Sequence, residues 1–409
     1  MTTGFVIGDR GLGTSGDTHP AWMLGHAVAG DYLVVGASAI GQIHLAHGAL
    51  RDDAFLVRTS GPWIAVAVAD GVGSKTLSRY GATYVVEALT SLLLRQLSPP
   101  LSASDELRKE ESFVISNNSP PASVGEVKLC TEAYQNITGQ EFTDGLEEWR
   151  AKIGVDSFDL EMELTQAASI GWWPSIQAKH PESSALVSQQ ESSIDNKAHP
   201  SKQIGSDADV DAPTLNLLTI MDEAFQNTHL GLRDHANRLE LELTELSCTA
   251  LGLLLNVETG TGVIAQIGDG AILGLTAQGQ VIGLIEAPDT GDPQATYTLN
   301  KPNFKTHLAI SPIEAPKNDP IVAFYVMTDG LSGDLLYSPD PDSLRHWSQK
   351  VDHNLRYAAS PAQAAAGMLN WLASYVVSGS WDDRTLVVIT RQERAHGNCQ
   401  AGAEQPEPA

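Results

Sequence analysis

Ala65-Val66-Ala67-Val68-Ala69-Asp70-Gly71 is an apolar run that ends abruptly on a carboxylate and a glycine. An apolar run this short, bounded by a turn signal, reads as a strand buried on both faces. Two further stretches share the pattern: Val263-Ile-Ala-Gln-Ile-Gly-Asp269-Gly270 and Phe324-Tyr-Val-Met-Thr-Asp329-Gly330. A fourth, Ser380-Trp-Asp382-Asp383-Arg-Thr-Leu-Val-Val-Ile389, is reversed, with its carboxylates ahead of the strand. If these strands share sheets, several carboxylates meet at one rim. Such crowding raises their pKa values, and a hard divalent cation with oxygen ligands relieves it. The pattern predicts a metal-dependent enzyme.

Composition narrows the partners. The chain has 409 residues, with 25 basic and 50 acidic side chains and a formal net charge of −25. That charge disfavours nucleic acid and anionic membrane, which both attract cations. Cys130, Cys248 and Cys399 are too few and too scattered for a disulfide framework and fit a reducing compartment. The first ten residues lack a basic segment followed by an apolar one. No apolar run reaches the roughly 18–20 residues of a membrane helix. A cytoplasmic location is expected.

The chain divides by texture. Residues 1–30 show no period and read as an irregular leader. Residues 31–97 and 214–390 carry the regular pattern of one catalytic domain, and residues 98–213, rich in Ser, Glu, Asp, Asn, Gln and Pro, read as an insertion. The tail 391–409 reads as disordered. Strands are expected at 32–36, 54–58, 63–69, 248–257, 262–267, 271–275, 281–285, 321–327 and 385–390. A helix is predicted from Ser78 to Leu97, stopped by Pro99-Pro100, another from about Pro213, and a third from Pro361 behind the cap Ser360. Runs of strands separated by a few long helices give an α+β class rather than a βαβ one.

These motifs, in this order, resemble the metal-dependent protein phosphatase 2C family, and its bacterial branch in particular. Gly41-x-x-His44 through Asp53-Ala54-Phe55 is similar to the opening motif, and Asp70-Gly71-Val72-Gly73 to the Asp-Gly-x-Gly motif. Gly268-Asp269-Gly270, Thr328-Asp329-Gly330 and Ser380-x-Asp382-Asp383-x-Thr385 follow in family order. The resemblance implies two packed antiparallel sheets flanked by helices, with a binuclear Mn²⁺ or Mg²⁺ centre at one end. By position, Asp70 would bridge the ions and the Gly71 carbonyl would bind one. Asp329 and Asp382 would complete the set, Asp53 would hold waters on the ions, and Asp269 would serve a third ion. The implied activity is hydrolysis of phosphoserine and phosphothreonine in proteins, opposing a Ser/Thr kinase.

The pattern departs from the family in two places. Val72 stands where many members carry a histidine that serves as general acid, which leaves a water or His44 for that work. The arginine that eukaryotic members use for phosphate has its nearest counterpart in Arg51, so His44 and Arg51 are the candidate phosphate contacts. These departures keep an alternative open: a catalytically weak or inactive sensor or adaptor on the same fold.

Overall fold

The computed structural model describes residues 3–7, 22–47, 49–97, 212–285, 296–336, 341–375 and 381–392. The apolar runs pair into two antiparallel sheets. The seven-stranded sheet contains β1 (Thr3–Ile7), β2 (Trp22–Ala29), β3 (Tyr32–Ala39), β12 (Arg384–Arg391), β11 (Ile321–Met327), β8 (Ala271–Thr276) and β9 (Val281–Gly283), in that spatial order. The five-stranded sheet runs β10 (Ala309–Pro312), β7 (Gly262–Ile267), β6 (Ala250–Asn256), β5 (Trp63–Ala69) and β4 (Ala54–Ser60). The helices are α1 (Gln42–His47), α2 (Ser78–Leu97), α3 (Ala212–Arg238), α4 (Asp329–Leu336), α5 (Pro341–Arg356) and α6 (Pro361–Ser374).

Strand alternation distributes the apolar side chains into layers. Between the sheets lie Val34, Phe55, Val57, Val66, Val68, Leu253, Ile264, Phe324, Val326 and Val387. Phe55 is fully buried, and its ring sits where a Cβ on Gly36 would approach to 2.3 Å, so a glycine at that position lets the two sheets close. The outer face of the five-stranded sheet packs on α2 and α3 through Val85, Leu89, Leu93, Met221 and Phe225. The outer face of the larger sheet packs on α4, α5 and α6 through Leu331, Trp347, Val351, Met368 and Leu372. The result is a helix–sheet–sheet–helix sandwich, as expected.

The expected strands and the three expected helices all form, with ends shifted by a few residues. The irregular reading of residues 1–30 needs correction, because Thr3–Ile7 and Trp22–Ala29 are strands. Trp22–Ala29 pairs along its length with β3, so its backbone groups are satisfied by register although its sequence shows no strict alternation. The expected insertion at 98–213 and the expected disordered tail fall almost wholly outside the described residues.

Register decides where the motifs go. Ala54 pairs with Ala69, Ala250 with Ile267, Ala39 with Arg384, and Met327 with Ala271. Each pairing sets the exit of one strand against the entry of another. The residues just beyond, namely Gly41, Asp53, Asp70, Asp269, Asp329, Asp382 and Asp383, therefore share one rim of the sandwich.

A carboxylate-lined candidate metal centre

Asp53 lies at the base of this rim with no exposed surface. Its Oδ2 accepts from Thr328 Oγ1 at 2.9 Å and Thr385 Oγ1 at 2.7 Å, groups at the end of β11 and in β12. One carboxylate from the small sheet is thus held by two hydroxyls of the large one. Its other oxygen, Oδ1, is buried with no donor except what a protonated Asp70 carboxyl would offer. An orphaned buried carboxylate oxygen is costly and marks a place for a cation or an ordered water.

Asp70 caps β5. Its N–H donates to Thr249 Oγ1 at 2.9 Å and its carbonyl accepts from Thr249 N–H at 2.8 Å, which fixes its backbone. Gly71 follows in close quarters: a Cβ there would lie 2.8 Å from the Asp52 carbonyl oxygen and 3.0 Å from the Ser78 carbonyl carbon. Asp329 opens α4, and its neighbour Gly330 is equally constrained, because a Cβ would come within 2.0 Å of the Asp383 carbonyl. Asp269 sits in the β7–β8 turn, where Gln266 Nε2 ties the loop by donating to the carbonyls of Gly268 and Gly270. Asp70, Asp269 and Asp329 each offer an oxygen within 4.8 Å of the others. Asp382 lies outside that trio on the exposed lip, but its charge acts on both Asp70 and Asp329. An all-oxygen donor set with an orphaned buried oxygen beneath it fits Mg²⁺ or Mn²⁺ better than zinc.

The electrostatics carry the same message. Burial, then Asp53 and Asp329, drives the Asp70 carboxyl well above the usual range. Burial, then Asp269 and Asp382, pushes Asp329 up to about 7. Burial followed by Asp383 lifts Asp52 to about 7, against the pull of His44 and Arg79. Asp382 rises too, through partial desolvation by the protein around it and then Asp383, although its outer side meets solvent.

Asp383 is the exception. Burial works against its charge, but three donors outweigh that: His44 Nδ1 at 2.9 Å, Gly41 N–H at 2.6 Å and Asp52 N–H at 2.5 Å. Its carboxyl is held below the ordinary value. The same bond works on His44: burial disfavours the imidazolium, yet Asp383 overcomes this and raises His44 to about 9. At neutral pH His44 is therefore a cation anchored through Nδ1, with Nε2 lying 3.8 Å from Asp52 Oδ2.

Stability follows with a definite sign. Asp52 and Asp329 have folded values above their unfolded ones, so the stabilising contribution is complete below about pH 4 and lost as pH rises through about 7. His44 has the same sign with a higher endpoint, and Asp383 acts oppositely only in the acid range. Metal-free protein melted in chelator should lose roughly 5 °C between pH 5.5 and 8.5. Asp329→Asn should flatten that slope. An unchanged slope would assign it to general surface repulsion.

Arg51 corrects an expectation. It is 1% exposed, and its guanidinium donates to Ser38 Oγ at 2.7 Å and to the Asp53 carbonyl. A fully buried guanidinium braces the Asp53 loop and does not reach a phosphoprotein. A cation beside the rim that sequence reasoning did not single out is Arg79, in the first turn of α2. Its Nη1 lies 3.9 Å from Asp52 Oδ1, and its neighbour Ser78 packs on Gly71. The available signal was an arginine eight positions after Gly71, beyond a turn-rich link.

A protein-family model described as protein phosphatase 2C matches residues 40–158 and 174–375, most of the chain. The chain belongs to the protein phosphatase 2C family. The match runs through parts of the 98–213 segment and stops before Asp382-Asp383. Among solved structures, RsbX in complex with magnesium is similar at 12% identity, covering 90% of this chain and 99% of that one, with a TM-score of 0.37. The Mycobacterium tuberculosis serine/threonine phosphatase PstP/Ppp is similar at 12% identity, 88% and 99% coverage, and a TM-score of 0.41. The PstP catalytic domain with two manganese ions gives 13% identity, 88% and 99% coverage, and a TM-score of 0.40. No curated protein is significantly similar in sequence. Within this phosphatase 2C chain, no helix of the described residues is long and apolar enough to cross a membrane.

Proposed function

We propose that this chain is a metal-dependent phosphoprotein phosphatase acting on phosphoserine and phosphothreonine. The observation that carries the reading is the convergence of Asp70, Asp269 and Asp329 above the orphaned Asp53 Oδ1 in a member of this family. Asp70, the Gly71 carbonyl, Asp329 and Asp382 are the proposed ligands, with Asp53 beneath and Asp269 available to a further ion. When bound, divalent Mn²⁺ or Mg²⁺ supplies an activated water and neutralises phosphoryl charge.

The protein's own groups do the rest. Asp53 and Asp70 hold their geometry through Thr328, Thr385 and Thr249, so charge is preorganised before substrate arrives. His44, held on Asp383, is the proposed donor of a proton to the departing serine or threonine oxygen. Arg79 is the proposed phosphate contact, since a guanidinium offers paired donors to phosphoryl oxygens. Arg79→Ala should raise KM for a phosphothreonine peptide roughly tenfold or more, with Arg79→Lys between. Unchanged KM in both variants would remove Arg79 from the site.

Hydrolysis of p-nitrophenyl phosphate and a phosphothreonine peptide with Mn²⁺, but not in chelator, is the test of the whole reading. Folded protein without turnover in either Mn²⁺ or Mg²⁺ would leave the sensor or adaptor reading. A Ser/Thr kinase as the opposing enzyme and a cytoplasmic location belong to the same proposal.

A further inference from the structure

The lip of the site carries an apolar pair that hydrolysis of a bare phosphate does not need. Ile43 in α1 donates its N–H to the Trp381 carbonyl at 3.0 Å, so the two residues are fixed side by side. Both side chains are exposed, Ile43 to 44% and Trp381 to 52%. Each is followed directly by a residue of the site, Ile43 by His44 and Trp381 by Asp382. Consecutive Cα atoms lie about 3.8 Å apart, and an extended peptide advances roughly 3.3–3.6 Å per residue. The neighbours in sequence of a phosphoresidue over the carboxylates are therefore within reach of Ile43 and Trp381.

The surroundings select among occupants. Exposed carboxylates on the same rim, Asp269 and Asp382, and a net charge of −25 disfavour an anionic lipid surface. A neutral or basic peptide segment is compatible. Trp is the residue type most apt to anchor such a contact, giving a large rigid face at low entropic cost.

We propose that Ile43 and Trp381 form a specificity contact that selects phosphorylated segments carrying a large aliphatic or aromatic side chain within two positions of the phosphoresidue. This rests on the phosphatase reading above and names its substrate class. The test uses full-length protein with Mn²⁺ and phosphothreonine peptides differing only by Leu or Gly at the flanking positions. Wild type should prefer the Leu peptide in kcat/KM by roughly fivefold or more. Ile43→Ala and Trp381→Ala, each normalised to its own p-nitrophenyl phosphate turnover, should bring the ratio near one. Trp381→Phe should retain part of it.

Turnover without preference in wild type, or a ratio that survives both alanine variants, overturns this inference alone. A dimer that Trp381→Ala dissociates also overturns it, by giving the patch to a second copy of the chain. Absence of turnover on p-nitrophenyl phosphate and on every peptide overturns the phosphatase reading itself.

Discussion

Asp70→Asn should abolish manganese-dependent phosphopeptide hydrolysis while making the metal-free protein more stable. The two effects have opposite signs because Asp70 is half-buried beside Asp53, Asp329 and Asp382, and desolvation followed by those charges lifts its pKa. A neutral isostere removes the repulsion and keeps the shape. Without its charge the proposed metal site would lose a ligand, so kcat/KM should fall on the order of 10³-fold or more. Calorimetric titration should show weakened Mn²⁺ binding, and melting in chelator at pH 8 should move upward. A variant that is inactive and also less stable in chelator would mean that Asp70 is a structural group. A variant that retains turnover would sink its role as metal ligand.

Asp383→Ala should be the most destabilising single change at the rim. Asp383 is 2% exposed and accepts from Gly41 N–H, Asp52 N–H and His44 Nδ1. Removing the carboxylate leaves two buried backbone donors unsatisfied and strips His44 of its partner. An unsatisfied buried donor costs about 1–3 kcal/mol, so a loss of roughly 2–4 kcal/mol is expected in denaturant unfolding. Relief of charge crowding offsets part of this. Asp383→Asn keeps one acceptor oxygen, enough for Gly41 N–H and His44, but turns an amide NH2 toward the Asp52 N–H, so it should recover only part of the stability. It should not recover the high His44 pKa, so the alkaline limb of the kcat profile should move to lower pH. Equal stability of the alanine and asparagine variants would show that the bonds to Gly41 and His44 matter little.

The rim was legible because strand-then-Asp-Gly is a local signal and antiparallel register converts it into shared position. Asp70, Asp269 and Asp329 were readable that way, Asp382 from the reversed motif ahead of the last strand, and Asp53 only through the family resemblance. The partners of these groups were less legible. Arg51 precedes two aspartates and reads as a candidate phosphate contact, whereas its burial depends on Ser38, a residue of another strand. The His44–Asp383 pair spans 339 positions and leaves no local trace. Trp22–Ala29 escaped because Gly25 and His26 interrupt its apolar rhythm, and pairing with β3 supplies what the pattern lacks. The helix Pro341–Arg356 buries Trp347, Val351 and Leu355 on one side. That spacing was present in the sequence but diluted by charged neighbours.

The antiparallel pairing of α2 and α3 sets the chain's tolerance for variation. Gln96 meets Glu223 near one end of the pair, and Tyr84 stacks on His235 near the other. Ser78 packs on Gly71 at the carboxylate rim, so Leu97 lies at the far end of α2, one helix of 20 residues away. At 1.5 Å per residue that is about 30 Å. A reporter fused just beyond Leu97 would therefore start about one α2 length from the carboxylates.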